Sequence, residues 1–108
     1  MNKPIIGVMG PGKNATEKDK KNAFELGKLI AEKGWIVLSG GRNEGVMDEV
    51  NKGAKLANGL TIGIIPTKNK KSVSEAVDIT IYTGMGSARN YINILSSDVV
   101  IEKTHSLL

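Results

Sequence analysis

Glycine-rich segments beside two arginines are the part of this sequence that could do chemistry. Gly10-Pro11-Gly12, Ser39-Gly40-Gly41 and Gly84-Met85-Gly86 each follow an apolar run, and Arg42 and Arg89 lie just after the second and third. Glycine lets a backbone approach a ligand closely and adopts positive φ without strain. A helix that begins after such a loop offers free N–H groups and the positive end of its dipole. The pattern is typical of a site for phosphate or another anion.

The apolar runs predict five buried strands, at residues 4–10, 35–40, 60–66, 78–84 and 98–102. Thr16 and Asp19 resemble a capping box, which indicates a helix that ends near Gly34. A second helix is expected from Gly45 to Ala57, and Ser87 is a candidate cap for a third. Buried strands that alternate with helices are typical of parallel β-α-β units. We therefore expect one α/β domain over residues 1–108.

Parallel strands place their carboxyl ends at one edge of the sheet, where ligands of such folds gather. The three glycine-rich loops and both arginines should therefore line one anion-binding pocket. A plainer alternative for Arg89 is a surface ion pair with Asp98 or Glu102. The candidate ligand-binding residues from this argument are Gly10, Pro11, Gly12, Ser39, Gly40, Gly41, Arg42, Gly84, Gly86 and Arg89.

Composition narrows the class of protein. The chain is 40% hydrophobic and 24% charged with a net charge of +4, and most of its basic residues are dispersed lysines. With few aromatic residues to stack on bases, we expect no nucleic-acid partner. No apolar run is long enough to span a bilayer and no signal peptide is evident, so we expect a cytoplasmic protein without a membrane partner. The chain has no cysteine and a single histidine, His105, which argues against a metal site.

Two common nucleotide motifs match poorly. "GPGKNA" fits the pattern G-x-G-x-x-A, but the acidic residue that a dinucleotide site needs at the end of strand two is replaced by Ser39-Gly40-Gly41. Gly12-Lys13 is followed by asparagine rather than by the serine or threonine of a P-loop. A standard NAD site and ATP hydrolysis are therefore not supported.

The stretch "SGGRNEGVMDEVNKGAKLANGLTIGIIP" resembles a segment of the Lonely-guy and molybdenum-cofactor-carrier superfamily, whose members are often labelled possible lysine decarboxylases. That segment has the form G-G-x-x-x-G-(L/V)-M, a helix, and then G-x-x-x-G-I-(I/L)-P. "GMGSARNYINILSSDVVI" is similar to the next family segment, an arginine-bearing helix followed by a strand. "GGRN" and "ARN" are closest to the cofactor-carrier branch.

This resemblance implies a three-layer Rossmann-like fold with a parallel five-stranded sheet of order 3-2-1-4-5 and a pocket for a phosphorylated small molecule. Implied ligands are the molybdenum cofactor or a nucleoside 5′-monophosphate, and family members commonly form homodimers or higher homo-oligomers. In the phosphoribohydrolase branch an arginine that matches Arg89 is catalytic. The family's phosphate-end positions map onto Gly40, Gly41, Gly45, Val46 and Met47, and Asn90 belongs to "ARN".

One departure affects the functional expectation. The family continues into a P-G-G-x-G-T-x-x-E motif that supplies the catalytic glutamate, whereas "IEKTHSLL" stands in its place here. We therefore expect a chain that lacks the C-terminal part of the family fold, and catalysis is uncertain. Three hypotheses stay open: a binding or carrier protein for a phosphorylated small molecule, a phosphoribohydrolase, or a truncated, inactive member that self-associates.

Overall fold

The structure is a computed structural model that describes residues 3–102. Prediction and structure agree on the succession of strands and helices. His105 and the rest of the segment "KTHSLL" lie outside the described residues. In chain order the elements are β1 (Ile5–Met9), α1 (Glu17–Glu32), β2 (Ile36–Ser39), α2 (Gly45–Leu56), β3 (Thr61–Ile65), β4 (Ile79–Tyr82), a 3₁₀ turn (Gly86–Ala88), α3 (Arg89–Ser96) and β5 (Val99–Glu102).

The first helix begins at the predicted capping box. The Thr16 hydroxyl accepts a hydrogen bond from the Asp19 N–H at 3.0 Å, and the Asp19 carboxylate accepts one from the Thr16 N–H at 3.0 Å. These bonds satisfy two backbone donors that the first helical turn leaves unpaired. The helix ends where Gly34 adopts φ +78°. For α3 the prediction was wrong, because Ser87 lies inside the 3₁₀ turn and the cap position is Ala88, which makes no side-chain capping bond.

The sheet is parallel throughout, as predicted, but its strand order is 4-3-2-1-5 rather than 3-2-1-4-5. The link between β3 and β4 contains no helix that could pack on the sheet during a crossover past β2 and β1. In this link Val73 forms an antiparallel bridge with Arg42. The chain therefore re-enters the sheet beside β3. The long crossover is made by the next link, from β4 to β5, which contains α3.

Helices cover both faces of the sheet, which gives the three layers of a Rossmann-like fold. On one face, Ile6, Val8 and Val37 pack against α1 and α2 in the main core. Side chains alternate between the faces of a strand, so Gly7 faces the opposite side, where a Cβ would lie 2.2 Å from the Ser97 hydroxyl at the end of α3. Within residues 3–102, no helix is both long and apolar enough to cross a membrane.

Asp78 joins the starts of β3 and β4. Its carboxylate accepts hydrogen bonds from the Lys55 ammonium at 2.8 Å and from the Thr61 N–H at 3.0 Å. Partial burial opposes ionisation of this group, but the bonds from Lys55 and Thr61 outweigh it and lower the pKa of Asp78. The charged carboxylate therefore stabilises the fold at neutral pH.

We expect Asp78→Asn to lower the free energy of unfolding at pH 7 by about 1–2 kcal/mol, since it removes charge-assisted hydrogen bonds. A lowered folded-state pKa gives stability that is present above the unfolded pKa and is lost as the pH falls through the folded value. Urea unfolding of both proteins should therefore differ most at neutral pH and converge below the ordinary carboxyl pKa of 3.8. An equal difference at pH 7 and at pH 2.5 would contradict this account.

Candidate anion-binding site

The loops after β1 and β2 pack directly against each other at the carboxyl edge of the sheet. The Pro11 carbonyl accepts a hydrogen bond from the Val46 N–H at 3.0 Å. Gly45 has φ +60°, and a Cβ there would lie 2.3 Å from the carbonyl oxygens of both Pro11 and Gly12. Glycine is required at residue 45 for both reasons. The segments Gly10–Gly12 and Gly40–Gly45 therefore lie side by side at this edge of the sheet.

The third glycine-rich loop lies elsewhere, because β4 is at the outer edge of the sheet. The N–H groups of Gly84 and Gly86 donate to the carbonyls of Thr67 and Pro66 at 3.2 and 3.0 Å. A Cβ on Gly84 would lie 2.8 Å from the Lys68 side chain, and one on Gly86 would have no neighbour within 4 Å. This loop thus packs on the segment after β3, and it contributes to the site by starting the turn that leads into Arg89.

Arg89 reaches the β2 loop from the opposite layer. The residue is 8% exposed. Its side chain donates from Nε to the Ile64 carbonyl at 2.9 Å, from Nη1 to the Asn90 side-chain oxygen, and from Nη2 to the Gly40 carbonyl at 3.4 Å. A Cβ on Gly40 would lie 2.5 Å from Nη2, so glycine at this position makes room for the guanidinium. The surface-pair alternative is wrong: Arg89 is buried, and Asp98 accepts a hydrogen bond from the Ile5 N–H at 2.7 Å.

Arg42 is the second cation of the site. Burial, and after it the positive charge of Arg42, lower the pKa of Arg89. Arg42 Nε is buried and has no hydrogen-bond partner among residues 3–102. In the same range no carboxylate forms an ion pair with either arginine. Two arginines that follow glycine-rich segments and have no anionic partner favour an anionic ligand.

The remaining predicted residues have mixed surroundings. Val46 is fully buried in the core, and its N–H is already bonded to Pro11, so only its backbone borders the loops. The Met47 sulfur lies 3.9 Å from Arg89 Nη2. Gly41 has φ +77°, and its carbonyl accepts a hydrogen bond from the Ser74 N–H at 2.8 Å. Ser39 is fully buried and accepts two hydrogen bonds, which is consistent with a structural hydroxyl.

Sequence reasoning missed three residues beside these loops. Asn51 is fully buried on α2 and bonds Ser39, and its signal was a polar residue directly beside the apolar stripe that contains Val50. Ser74 contacts the β2 loop through its backbone and Asp48 through its hydroxyl, at 2.7 Å. The Glu44 carboxylate lies against Gly12, where it would clash with a Cβ at 2.7 Å. No sequence signal marked Ser74 or Glu44, because both contacts join segments distant in the chain or depend on loop geometry.

Solved structures with this fold include cofactor proteins. A molybdenum cofactor binding protein from the phototrophic bacterium Rippkaea orientalis is 64% identical with a TM-score of 0.96, and the match covers 99% of this chain and 66% of that one. The molybdenum cofactor carrier protein of Chlamydomonas reinhardtii is 55% identical with a TM-score of 0.87, over 94% of this chain and 62% of that one.

Sequence comparison finds a related protein and a matching family model. An uncharacterized protein of Archaeoglobus fulgidus is 45% identical over 96 residues, which are 89% of this chain and 62% of that protein. The chain thus spans between 62% and 66% of the length of these three relatives. The model of the SLOG cluster4 family matches residues 3–106. The resemblance to the Lonely-guy and molybdenum-cofactor-carrier superfamily is confirmed, and the chain belongs to the SLOG cluster4 family.

Proposed function

We propose that this chain binds a phosphorylated small molecule as a carrier and that its ligand is the molybdenum cofactor, with a nucleoside 5′-monophosphate as the alternative ligand. The observation that carries the proposal is that Arg89 is buried with its guanidinium against the Gly40 carbonyl after β2, and that neither it nor Arg42 has a carboxylate partner among residues 3–102. The names of the relatives from Rippkaea and Chlamydomonas support the choice of cofactor.

The donors present fit the phosphate of such a ligand. Arg42 Nε is buried and unbonded, and a buried donor without an acceptor costs about 1–3 kcal/mol, which a phosphate oxygen would recover. The N-terminus of α2 adds the N–H groups of its first turn and the positive end of the helix dipole. Among those groups the Val46 N–H is already bonded to Pro11, so Gly45 and Met47 are the proposed backbone donors.

In this proposal Arg89 is a binding residue held in place by the protein. Its bonds to Ile64, Asn90 and Gly40 fix the plane of the guanidinium before a ligand arrives, which lowers the entropy cost of binding. When bound, the molybdenum cofactor would supply the metal and the pterin. The residues of this chain would hold the phosphate, through Arg42, Arg89 and the segment Gly40–Met47, and the loop Gly10–Gly12 would lie beside them.

The phosphoribohydrolase alternative has less support. Cleavage of a glycosidic bond requires a carboxylate beside the anomeric carbon. Within residues 3–102 the partners of Arg89 are carbonyls, an amide and a sulfur, and none is a carboxylate. Glu102 is exposed at the end of β5, at the edge of the sheet. We therefore favour binding over catalysis for the described part of the chain.

The test is calorimetry with the purified chain and four probes: the molybdenum cofactor, a nucleoside 5′-monophosphate, inorganic phosphate and an unphosphorylated pterin. We expect heat with the three probes that contain phosphate, strongest with the cofactor, and none with the unphosphorylated pterin. Heat with the pterin but not with phosphate would contradict the phosphate assignment. No heat with any probe would overturn the binding function, and release of free base from the monophosphate would favour the hydrolase.

We also propose that the chain self-associates through the outer face of α3. On this helix the polar residues Arg89 and Asn93 are buried, whereas Tyr91 and Leu95 are each 67% exposed. Ile94 adds a third exposed apolar side chain on the same outer face. An apolar surface of this kind on a folded chain favours a protein partner.

Leu95→Glu should shift the chain toward monomer, because it places a charge in the proposed apolar contact. Leu56→Glu is the matched control, since Leu56 is 63% exposed on α2 and lies outside the α3 face. Light scattering over a range of concentrations should show association for the wild type and for Leu56→Glu but not for Leu95→Glu. A wild-type chain that is monomeric at every concentration would refute self-association.

A further inference from the structure

Asn51 uses both N–H groups of its side chain inside the protein. This residue of α2 is fully buried, and its amide nitrogen donates to the Ser39 hydroxyl oxygen at 3.1 Å and to the Met47 carbonyl at 2.9 Å. Since a carbonyl can only accept a hydrogen bond, the Met47 contact requires the nitrogen rather than the oxygen of the amide to face this way. The orientation of Asn51 is thus fixed by its surroundings.

Ser39 connects Asn51 to the Gly40–Gly41 turn. Its hydroxyl oxygen also accepts the Gly41 N–H at 3.1 Å, so its two lone pairs are filled by Asn51 and Gly41. A serine hydroxyl that accepts from the N–H two residues later is the contact that stabilises a tight turn. In this turn the Gly40 carbonyl points at Arg89 Nη2 at 3.4 Å.

The stability cost at Asn51 indicates a positional role. Its side-chain oxygen is buried and has no partner among residues 3–102. An unpaired buried acceptor is unfavourable, and an apolar side chain of similar size would avoid that penalty. The benefit of asparagine at this position therefore lies in the two bonds that its nitrogen makes.

We propose that Asn51 is a positioning residue of the site: through Ser39 it holds the Gly40–Gly41 turn in the shape that presents the Gly40 carbonyl to Arg89. The proposal rests on the proposed function, since its effect on affinity requires that the site binds an anion. The effect of Asn51 on the Gly41 amide does not depend on anion binding. An experiment can therefore test the positioning role and the proposed function separately.

The test compares Asn51→Ala with Val50→Ala. Both remove a fully buried side chain from α2, but Val50 belongs to the core between the helices and makes no bond to Ser39. By NMR, the Gly41 amide resonance should move and its hydrogen exchange should speed up about tenfold in Asn51→Ala, but not in Val50→Ala. Ser39→Ala should produce the same change, because it removes the shared acceptor, and the double variant Ser39→Ala/Asn51→Ala should add nothing further.

Affinity for inorganic phosphate and for a nucleoside 5′-monophosphate should fall about tenfold in Asn51→Ala and stay within twofold of wild type in Val50→Ala. An unchanged Gly41 amide in Asn51→Ala, or an equal change in Val50→Ala, would overturn the positioning role. If Asn51→Ala does not fold, Ser39→Ala carries the same amide test. If wild type binds neither probe, the proposed phosphate site fails while the Gly41 measurement still decides the role of Asn51 in the turn.

Discussion

Gly53→Ala should destabilise this protein strongly, with a loss of about 3 kcal/mol in the free energy of unfolding. The reason is a reciprocal close approach of α1 and α2. A Cβ on Gly53 would lie 1.9 Å from the Phe24 carbonyl oxygen, and a Cβ on Gly27 would lie 2.0 Å from the Val50 carbonyl oxygen. Neither backbone oxygen can turn aside, so the two helices would have to separate and open the core they share.

The sign of this effect is what makes it diagnostic. Inside an exposed helix, alanine is more favourable than glycine by about 1 kcal/mol, so the same substitution would normally stabilise. Here calorimetry should show a melting temperature about 10–20 °C lower than that of wild type. Gly34→Ala is the control, because a Cβ there has no neighbour within 4 Å and only the positive φ is strained. A Gly53→Ala protein as stable as wild type would disprove the close packing of the two helices.

Local patterns in the sequence were sufficient for the elements of this fold. The Thr16–Asp19 box places the start of α1, and Gly34 with its positive φ places the end, because both depend on residues close in the chain. Strand order was not predictable in the same way. The position of β4 beside β3 involves contacts between residues distant in the chain, such as that of Asp78 with Thr61, which no periodicity reveals.

The candidate site shows the same division. The glycines of the β1 and β2 loops were recognisable because glycine is rarely chosen without a backbone reason, and Gly45 meets that expectation. The role of Gly40 was not recognisable from the sequence, because the space that this glycine leaves is filled by Arg89 from α3 in the opposite layer. Asn51 was missed because its partner Ser39 lies on the neighbouring strand.

The largest expected effect on binding is that of Arg89. In Arg89→Met the affinity for a phosphorylated ligand should fall by between about tenfold and a hundredfold, because a charge-assisted hydrogen bond is worth about 1.5–3 kcal/mol and each 1.4 kcal/mol is a factor of ten. Arg89→Lys should also lose at least about tenfold although it keeps the charge. A lysine ammonium cannot reproduce the planar fork that meets the Ile64 and Gly40 carbonyls while presenting donors to a ligand.

Two controls separate this effect from loss of charge and from loss of fold. Lys33→Met removes one positive charge at the far end of α1, where Lys33 is exposed over the ring of Trp35, and it should leave affinity within about twofold of wild type. Thermal unfolding of Arg89→Met shows whether the variant is folded when its affinity is measured. If Arg89→Lys binds phosphate as well as wild type, positive charge alone accounts for binding. The fixed plane of the guanidinium, and with it the Gly40–Gly41 turn that Asn51 holds, would then have no part in recognition.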